Sequence, residues 1–218
     1  MGGGLETELK LRADDDALTR LATAAWLGPA ALGVAREVDE LDVYLDTDDG
    51  RLARERWACR LRTRDGRRRI SLKGPAQHRV GEPLHRRPEV EGPAPQADAS
   101  DPRAWPQSPA RDLVLRLAGK ASLAELLSLR QRRTEREVLI DGGRAGLLSL
   151  DRVTALRRGV ALGSFGVVEL ELDRGVEPAS WLAPVEEARR ALPGLGPEPM
   201  SKLERALELA EVAGEGPR

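Results

Sequence analysis

Glu6-Thr7-Glu8, Glu89-Val90-Glu91 and Glu169-Leu170-Glu171 each set two glutamates two residues apart in this chain of 218 residues. On a β-strand, residues at that spacing project from one face, with carboxylates about 7 Å apart. Like charges at close range repel by on the order of 1 kcal/mol in water, and about 4 kcal/mol at an effective dielectric near 20. Repeating the arrangement therefore calls for a compensating cation. Hard divalent ions such as Mg²⁺ or Mn²⁺ take oxygen ligands, and Mg²⁺ commonly binds through a few carboxylates plus substrate phosphates. Basic residues recur with the same parity: Lys10 and Arg12 continue the first acidic pair, Arg60/Arg62 and Arg130/Arg132 stand two apart, and Arg69/Lys73 stand four apart. Guanidinium forks match phosphate oxygens bidentately, and a lysine acts on them as a point charge. The acidic pairs read as the metal half of a site and the basic pairs as its phosphate half.

The elements that would carry these residues alternate with a period of two. LETELKLR puts its four charges on one side and Leu5, Leu9 and Leu11 on the other. EVDELDVYLDT repeats the pattern, with Asp42, Tyr44 and Asp46 sharing a side. WACRLRTR and RRRISLK flank Asp65-Gly66, a dipeptide suited to the positive φ angles of a tight hairpin turn. HRRPEVEG reads as a short fifth strand whose Pro88 suits an edge or an irregular end. Three more strands are expected: about 129–140, GLLSLDRVTAL and FGVVELELD. Helices are expected after Asp14, over 109–128, and at 179–213, the last as two segments split by PGLGPEP; residues 92–108, rich in Pro, Ala, Ser and Asp, read as a flexible surface insertion.

With 40% hydrophobic residues the chain can build a sizeable core, and a formal net charge of -1 excludes an overall polyanion-binding balance. Aromatics at 3% argue against a base-stacking nucleic-acid platform. The single cysteine, Cys59, excludes an internal disulfide, and no apolar run reaches the length of a membrane span, which points to a cytoplasmic protein. For any one strand alone, a solvated outer face explains a charged side as simply as a site does. The Glu-x-Glu pairs at Glu6, Glu89 and Glu169 weigh against that reading. If some eight strands close, the charged sets face one channel, wide enough for side chains or one small ligand.

Taken together these residues resemble the CYTH family, also called triphosphate tunnel metalloenzymes. The family's opening Glu-x-Glu-x-Lys stands as Glu6, Glu8 and Lys10, its Tyr-x-Asp-Thr as Tyr44, Asp46 and Thr47, and its basic strand as Arg60-Leu61-Arg62. Leu72-Lys73-Gly74-Pro75, Glu89 with Glu91, Arg130 with Arg132, Leu150-Asp151, Glu169 with Glu171, and Ser201-Lys202 with Arg205 follow in family order. The resemblance implies a single α+β domain over residues 1–218: an eight-stranded antiparallel β-barrel, flanked by helices, whose interior binds triphosphates with Mg²⁺ or Mn²⁺. It implies metal ligation by Glu6, Glu8, Glu169 and Glu171, with Glu91 and Asp151 as further candidates, and a phosphate grip by Lys10, Arg60, Arg62, Lys73, Arg130, Arg132 and Lys202. The nucleophile is then metal-activated water, with Tyr44 and Lys73 as a rival activating pair by resemblance to thiamine triphosphatases.

Within that family the scarcity of aromatic lining favours a bare phosphate chain, so the expected substrate is inorganic tripolyphosphate, cleaved to pyrophosphate and phosphate. Thiamine triphosphatase, class IV adenylyl cyclase and a non-catalytic polyphosphate- or nucleotide-binding module are the alternatives. A small-molecule partner is expected, with neither nucleic acid nor membrane; a homodimer through a helix face is left open. Arg12, Arg64 and Arg69 read as equally solvated or liganding. His78 and His85 read as surface residues, Cys59 as packing, Trp26, Trp57 and Trp181 as core or helix-packing, and Trp105 as without a role.

Overall fold

The computed structural model describes residues 4–76, 83–95 and 98–214; His78 lies outside them. In chain order the elements are β1 (Gly4–Ala13), α1 (Asp15–Thr23), β2 (Trp26–Leu27), β3 (Ala30–Leu32), β4 (Arg36–Thr47), α2 (Arg51–Arg54), β5 (Ala58–Arg64), β6 (Arg67–Lys73) and β7 (Leu84–Pro93). A 3₁₀ turn (Pro102–Ala104) then leads to α3 (Pro109–Ala118), β8 (Leu123–Ile140), β9 (Gly143–Arg157), β10 (Val160–Leu172), α4 (Ala179–Ala191), β11 (Gly196–Pro197) and α5 (Lys202–Val212).

Eight strands close on themselves in the order β8-β4-β5-β6-β7-β1-β10-β9 and back to β8, every pair antiparallel. Closure removes the edges that an open sheet of this size would expose. The β2–β3 hairpin extends one side of β8, and β11 pairs with β1. Asp65 and Gly66 at φ 49° and 71° make the β5–β6 turn that their types predict, and Asp141-Gly142 and Arg158-Gly159 repeat it in the next two hairpins.

The helices cover the outer wall. Leu9, Leu11, Leu148, Leu150, Leu170 and Leu172 face outward and pack with Leu18 and Leu21 of α1 and Trp181 and Val185 of α4. Asp14 caps α1 by accepting from the Ala17 amide at 2.8 Å. Across the barrel, α2 and α3 cover Cys59, Leu61, Ile70 and Leu72.

Several expectations differ. Residues 92–108, read as a flexible surface insertion, place Ala94, Ala99 and Trp105 in the second core cluster, with the Trp105 indole donating to the Ala99 carbonyl. Trp26 is exposed on the β2–β3 hairpin instead of packed. The helix expected over 109–128 ends at Ala118, because ASLAELLSL, good helix formers, is paired with β4 from Leu123 onward. Nor is β7 an edge: Pro88 is paired with Leu5 inside the closed barrel.

Candidate active site

Alternation on the closed wall sends one set of side chains into the barrel, and β5 carries the ladder most plainly: Arg60, Arg62 and Arg64 all point inward, at successively greater exposure. Asp42, fully buried on β4, anchors the lower two. It accepts from Arg62 Nε and Nη2 at 2.7 and 2.8 Å, from Gln131 Nε2 at 2.8 Å, and from Arg60 at 3.4 Å. Burial pushes its carboxyl up, but Arg60 and Arg62 outweigh that and hold it well below the ordinary carboxylate range. Arg62 also reaches Glu40 at 3.1 Å, and Arg64 bridges Glu40 and Glu135.

On the opposite wall, β1 brings in Glu6, Glu8 and Lys10. Lys73 donates to Glu6 at 2.7 and 2.9 Å, and Arg87 donates to Glu6 at 2.8 Å and to Glu8 at 3.0 Å. Burial raises the Glu6 carboxyl, yet Lys73 and Arg87 together bring it down to about 2. Burial and then the neighbouring Arg87 lower the Lys73 ammonium, against the pull of Glu6. Lys10 moves the other way, because Glu8 and Glu169 overcome its burial.

A third cluster lies where β8, β9 and β10 meet α5. Arg133 forks onto Asp151 at 2.7 and 2.8 Å, and Lys202 donates to Asp151 at 2.6 Å and to Glu169 at 2.7 Å. Glu169 also takes Lys10 at 3.3 Å and Arg133 at 3.3 Å. Lys202 is the first residue of α5, and a capping box between Ser201 and Glu204 holds that helix start in place. The segment before it is tied down by Arg205 on the Glu198 carboxylate and by His85 Nε2, which donates to the Glu198 carbonyl at 3.1 Å. His85 is thus a buried structural residue instead of a solvated one.

Beyond Lys202, α5 seals that end of the barrel. Tyr44, Leu127, Leu129, Val153 and Ala155 point inward and pack with Ala206. The other end opens into a cleft of about 1390 Å³ bordered by Glu6, Arg62, Arg64, Glu89, Glu91 and Glu171, among others.

The structure brings Lys10, Arg60, Arg62, Lys73 and Lys202 inside with Glu6, Glu8, Glu169 and Asp151. It excludes Arg130 and Arg132, which are exposed on the outer face with Leu41 and Asp39 as cross-strand partners on β4. The inward residues of β8 are Leu127, Leu129, Gln131, Arg133 and Glu135, opposite Tyr44, Asp42, Glu40 and Val38 in turn for the first four. Apolar residues on β8 point into the barrel because they build its floor, which inverts the rule that the apolar set faces the helices. Glu91 sits exposed at the mouth and pairs with Arg69 at 3.0 Å. Tyr44 and Lys73 are separated by β5, and Lys73 is turned to Glu6. Sequence reasoning missed Glu40, Asp42, Arg87, Gln131, Arg133 and Glu135; the shared parity of Glu40, Asp42 and Tyr44 was the available signal for two of them.

Among the described residues no three carboxylates gather on one point as a ready metal cage. The donor set nonetheless suits a hard cation at the mouth side of β1 and β10, where Glu171 faces Glu8 in register and makes no ion pair among the described residues. Burial first, then Glu6 and Glu8, push the Glu171 carboxyl above its ordinary value. That surplus negative charge is what a divalent ion would neutralise.

The family profile for the CYTH domain matches residues 4–207. No curated protein matches the chain in sequence. Among solved structures, HpAC1 from Hippeastrum, described as an adenylyl cyclase candidate with a dominant triphosphatase activity, superposes with TM-score 0.70 at 19% identity, covering 96% of both chains. A proposed adenylate cyclase from Bacillus halodurans gives 0.64 at 18% identity, over 94% of this chain and 98% of that one. The mimivirus capping-enzyme triphosphatase gives 0.50 at 10% identity, over 85% and 88%.

Proposed function

The chain belongs to the CYTH family, and on that footing we propose that it is a metal-dependent hydrolase of triphosphate compounds, acting on inorganic tripolyphosphate to yield pyrophosphate and phosphate. The observation that carries this reading is the closed barrel whose interior alternates Lys10, Arg60, Arg62, Lys73, Arg87, Arg133 and Lys202 with carboxylates, sealed at one end and open at the other. Without ligand those cations are neutralised by Glu6, Glu8, Asp42, Asp151 and Glu169. A phosphate chain would take over their donors. The carboxylates so released would then be free for a metal ion.

Glu6, Glu8 and Glu171 would hold Mg²⁺ or Mn²⁺, with Glu169 and Asp151 deeper in. When bound, such an ion polarises a phosphoryl oxygen and lowers the pKa of its water. The protein's own part is positioning and electrostatic stabilisation, which dominate phosphoryl transfer. Arg60 and Arg62, set by Asp42, present guanidinium forks to the chain's oxygens. Lys10 acts as a fixed positive charge beside Glu169. Lys73, with its pKa pushed down by burial and Arg87, is better suited than Lys10 to exchange a proton with a phosphoryl oxygen or the leaving group. Tyr44, raised by burial and lying in the floor, serves as a hydroxyl wall and not as a base.

The preference for a bare phosphate chain rests on the mouth, where no aromatic ring lines the cleft among the described residues, so a thiamine or adenine ring would lack a stacking wall. Phosphate release from tripolyphosphate, thiamine triphosphate and ATP, each with Mg²⁺ and with Mn²⁺, tests this. Tripolyphosphate should give the highest kcat/KM, and a tenfold or greater preference for either organic triphosphate would overturn the substrate assignment. Among the described residues no helix is long and apolar enough to cross a membrane.

A further inference from the structure

The β5–β6 hairpin repeats a pairing that sheets avoid. In register, Arg62 lies opposite Arg69, and Arg64 opposite Arg67, so two successive rungs of one face set arginine against arginine. These four side chains share the face that turns toward the tunnel, and all four border the cleft at its mouth. Directly opposed like charges destabilise a strand pair. The inner rung is compensated, Arg62 by Asp42 and Glu40 and Arg69 by Glu91. On the outer rung Arg64 is held by Glu40 and Glu135, whereas Arg67 makes no ion pair among the described residues. The unpaired guanidinium therefore stands outermost, on the rim. Around the mouth, the acidic residues Glu89 and Glu91 lie on β7, beside β6, and Glu171 lies farther round the wall on β10.

Tunnel depth gives the rim its use. Because Tyr44, Leu127, Leu129 and α5 seal the inner end, a phosphate chain enters end first and can leave only by the mouth. From Arg60 to Arg64 the strand rises about 13 Å, on the order of the length of three linked phosphoryl groups. Any further phosphoryl must emerge past Arg64, over Arg67 and Arg69.

Resting on the reading of the tunnel as a triphosphate site, we propose that Arg67 and Arg69 form an outer anion subsite that takes the fourth and later phosphoryl groups of linear inorganic polyphosphate, so that the enzyme binds long chains more tightly than tripolyphosphate. The subsite is exposed, so its contacts are screened by salt, whereas those inside the barrel are less so. The chain-length preference should shrink as ionic strength rises.

The test compares the wild-type protein with Arg67→Gln/Arg69→Gln, an exposed double variant outside the tunnel, on tripolyphosphate and on long-chain polyphosphate. The expected result is a KM for the long chain raised about tenfold, with the tripolyphosphate KM within twofold of wild type. Equal effects on the two substrates, or none on either, would overturn the proposal, as would a matching loss with ATP, which has three phosphoryl groups and a nucleoside. If the wild type releases no phosphate at all, the tunnel reading fails separately. Calorimetric binding of the same two ligands then decides the rim: a loss confined to the long chain supports it, and unchanged binding of both sinks it.

Discussion

Replacing Asp151 with Asn keeps the side-chain volume and removes the charge from the most enclosed cluster of the barrel. Asp151 is fully buried and receives Arg133 through two bonds and Lys202 through one, while Glu169 shares both cations and adds Lys10. Burial alone would raise the Asp151 carboxyl, and Arg133 and Lys202 reverse that, so the pairing outweighs desolvation. After Asp151→Asn, Arg133, Lys202 and Lys10 share Glu169 as their common carboxylate, with only longer contacts left to Glu8 from Lys10 at 3.7 Å and to Glu40 and Glu135 from Arg133 at 3.9 and 4.0 Å. Removing one partner of a buried pair costs about 3–5 kcal/mol. Since Glu169 remains and the amide oxygen can still accept one bond, the lower end, about 3 kcal/mol, is expected. For a domain of this size that corresponds to a melting temperature lower by roughly 6–12 °C. Urea denaturation measures the loss, and the midpoint should fall with the m-value unchanged. Tripolyphosphate, an anion able to replace the lost charge, should restore more stability to the variant than it adds to the wild type. A loss below about 1 kcal/mol, or less rescue in the variant than in the wild type, would refute the claim that this cluster is an electrostatically coupled unit open to substrate.

Three further outcomes follow from particular contacts. The Glu6 carboxyl is lowered to about 2 from an ordinary value of 4.5, so its contribution is complete above pH 4.5 and is lost as pH falls from there toward 2. That contribution is about 3 kcal/mol, and Glu6→Gln should flatten the stability profile across the same window; an unchanged slope in denaturation between pH 4.5 and 2 would contradict it. Arg136 donates to the carbonyls of Leu21, Ala22, Ala24, Leu32 and Gly33, tying the end of α1 and the β2–β3 hairpin to β8. Arg136→Met should cost about 2–4 kcal/mol by urea denaturation, and Arg136→Lys should recover less than half of it, because an ammonium cannot span those acceptors. Finally, Arg130→Ala/Arg132→Ala should leave tripolyphosphate kcat/KM within about twofold, since both face solvent, whereas Arg87→Ala should lower it by about 100-fold. Reversed effects would mean that β8 and β7 present other faces to substrate.

The contrast between β1 and β8 shows what a strand's sequence can convey. In LETELKLR the outward Leu9 and Leu11 meet covering helices, while Glu6, Glu8 and Lys10 turn into the barrel, so polarity and direction agree. On β8 the inward set changes from Leu127 and Leu129 at the floor to Gln131, Arg133 and Glu135 above it, and on the outer face Arg130 and Arg132 are exposed. Polarity there reports depth along the tunnel as well as direction. Only the register with β4 reveals which is meant, and register is a long-range property. Arg87 was obscured by Arg86 beside it and by Pro88, which argued for an irregular strand end; closure of the barrel overrides that local preference. Trp105 was unreadable for a related reason, since a segment without periodicity can still be pinned by one large side chain in a core. The hairpin at Asp65-Gly66 was legible because positive φ is a local demand that few residue types meet.

On the proposed function, the charged interior of the barrel binds and cleaves a triphosphate. Phosphate release from tripolyphosphate by the wild type and by Arg60→Ala, with and without divalent metal, tests it most directly. The wild type should release one phosphate per tripolyphosphate, leave pyrophosphate, and require Mg²⁺ or Mn²⁺, with turnover reduced about 100-fold or more in the variant. Absence of release from folded wild-type protein with either metal, or equal release from both proteins, would contradict it.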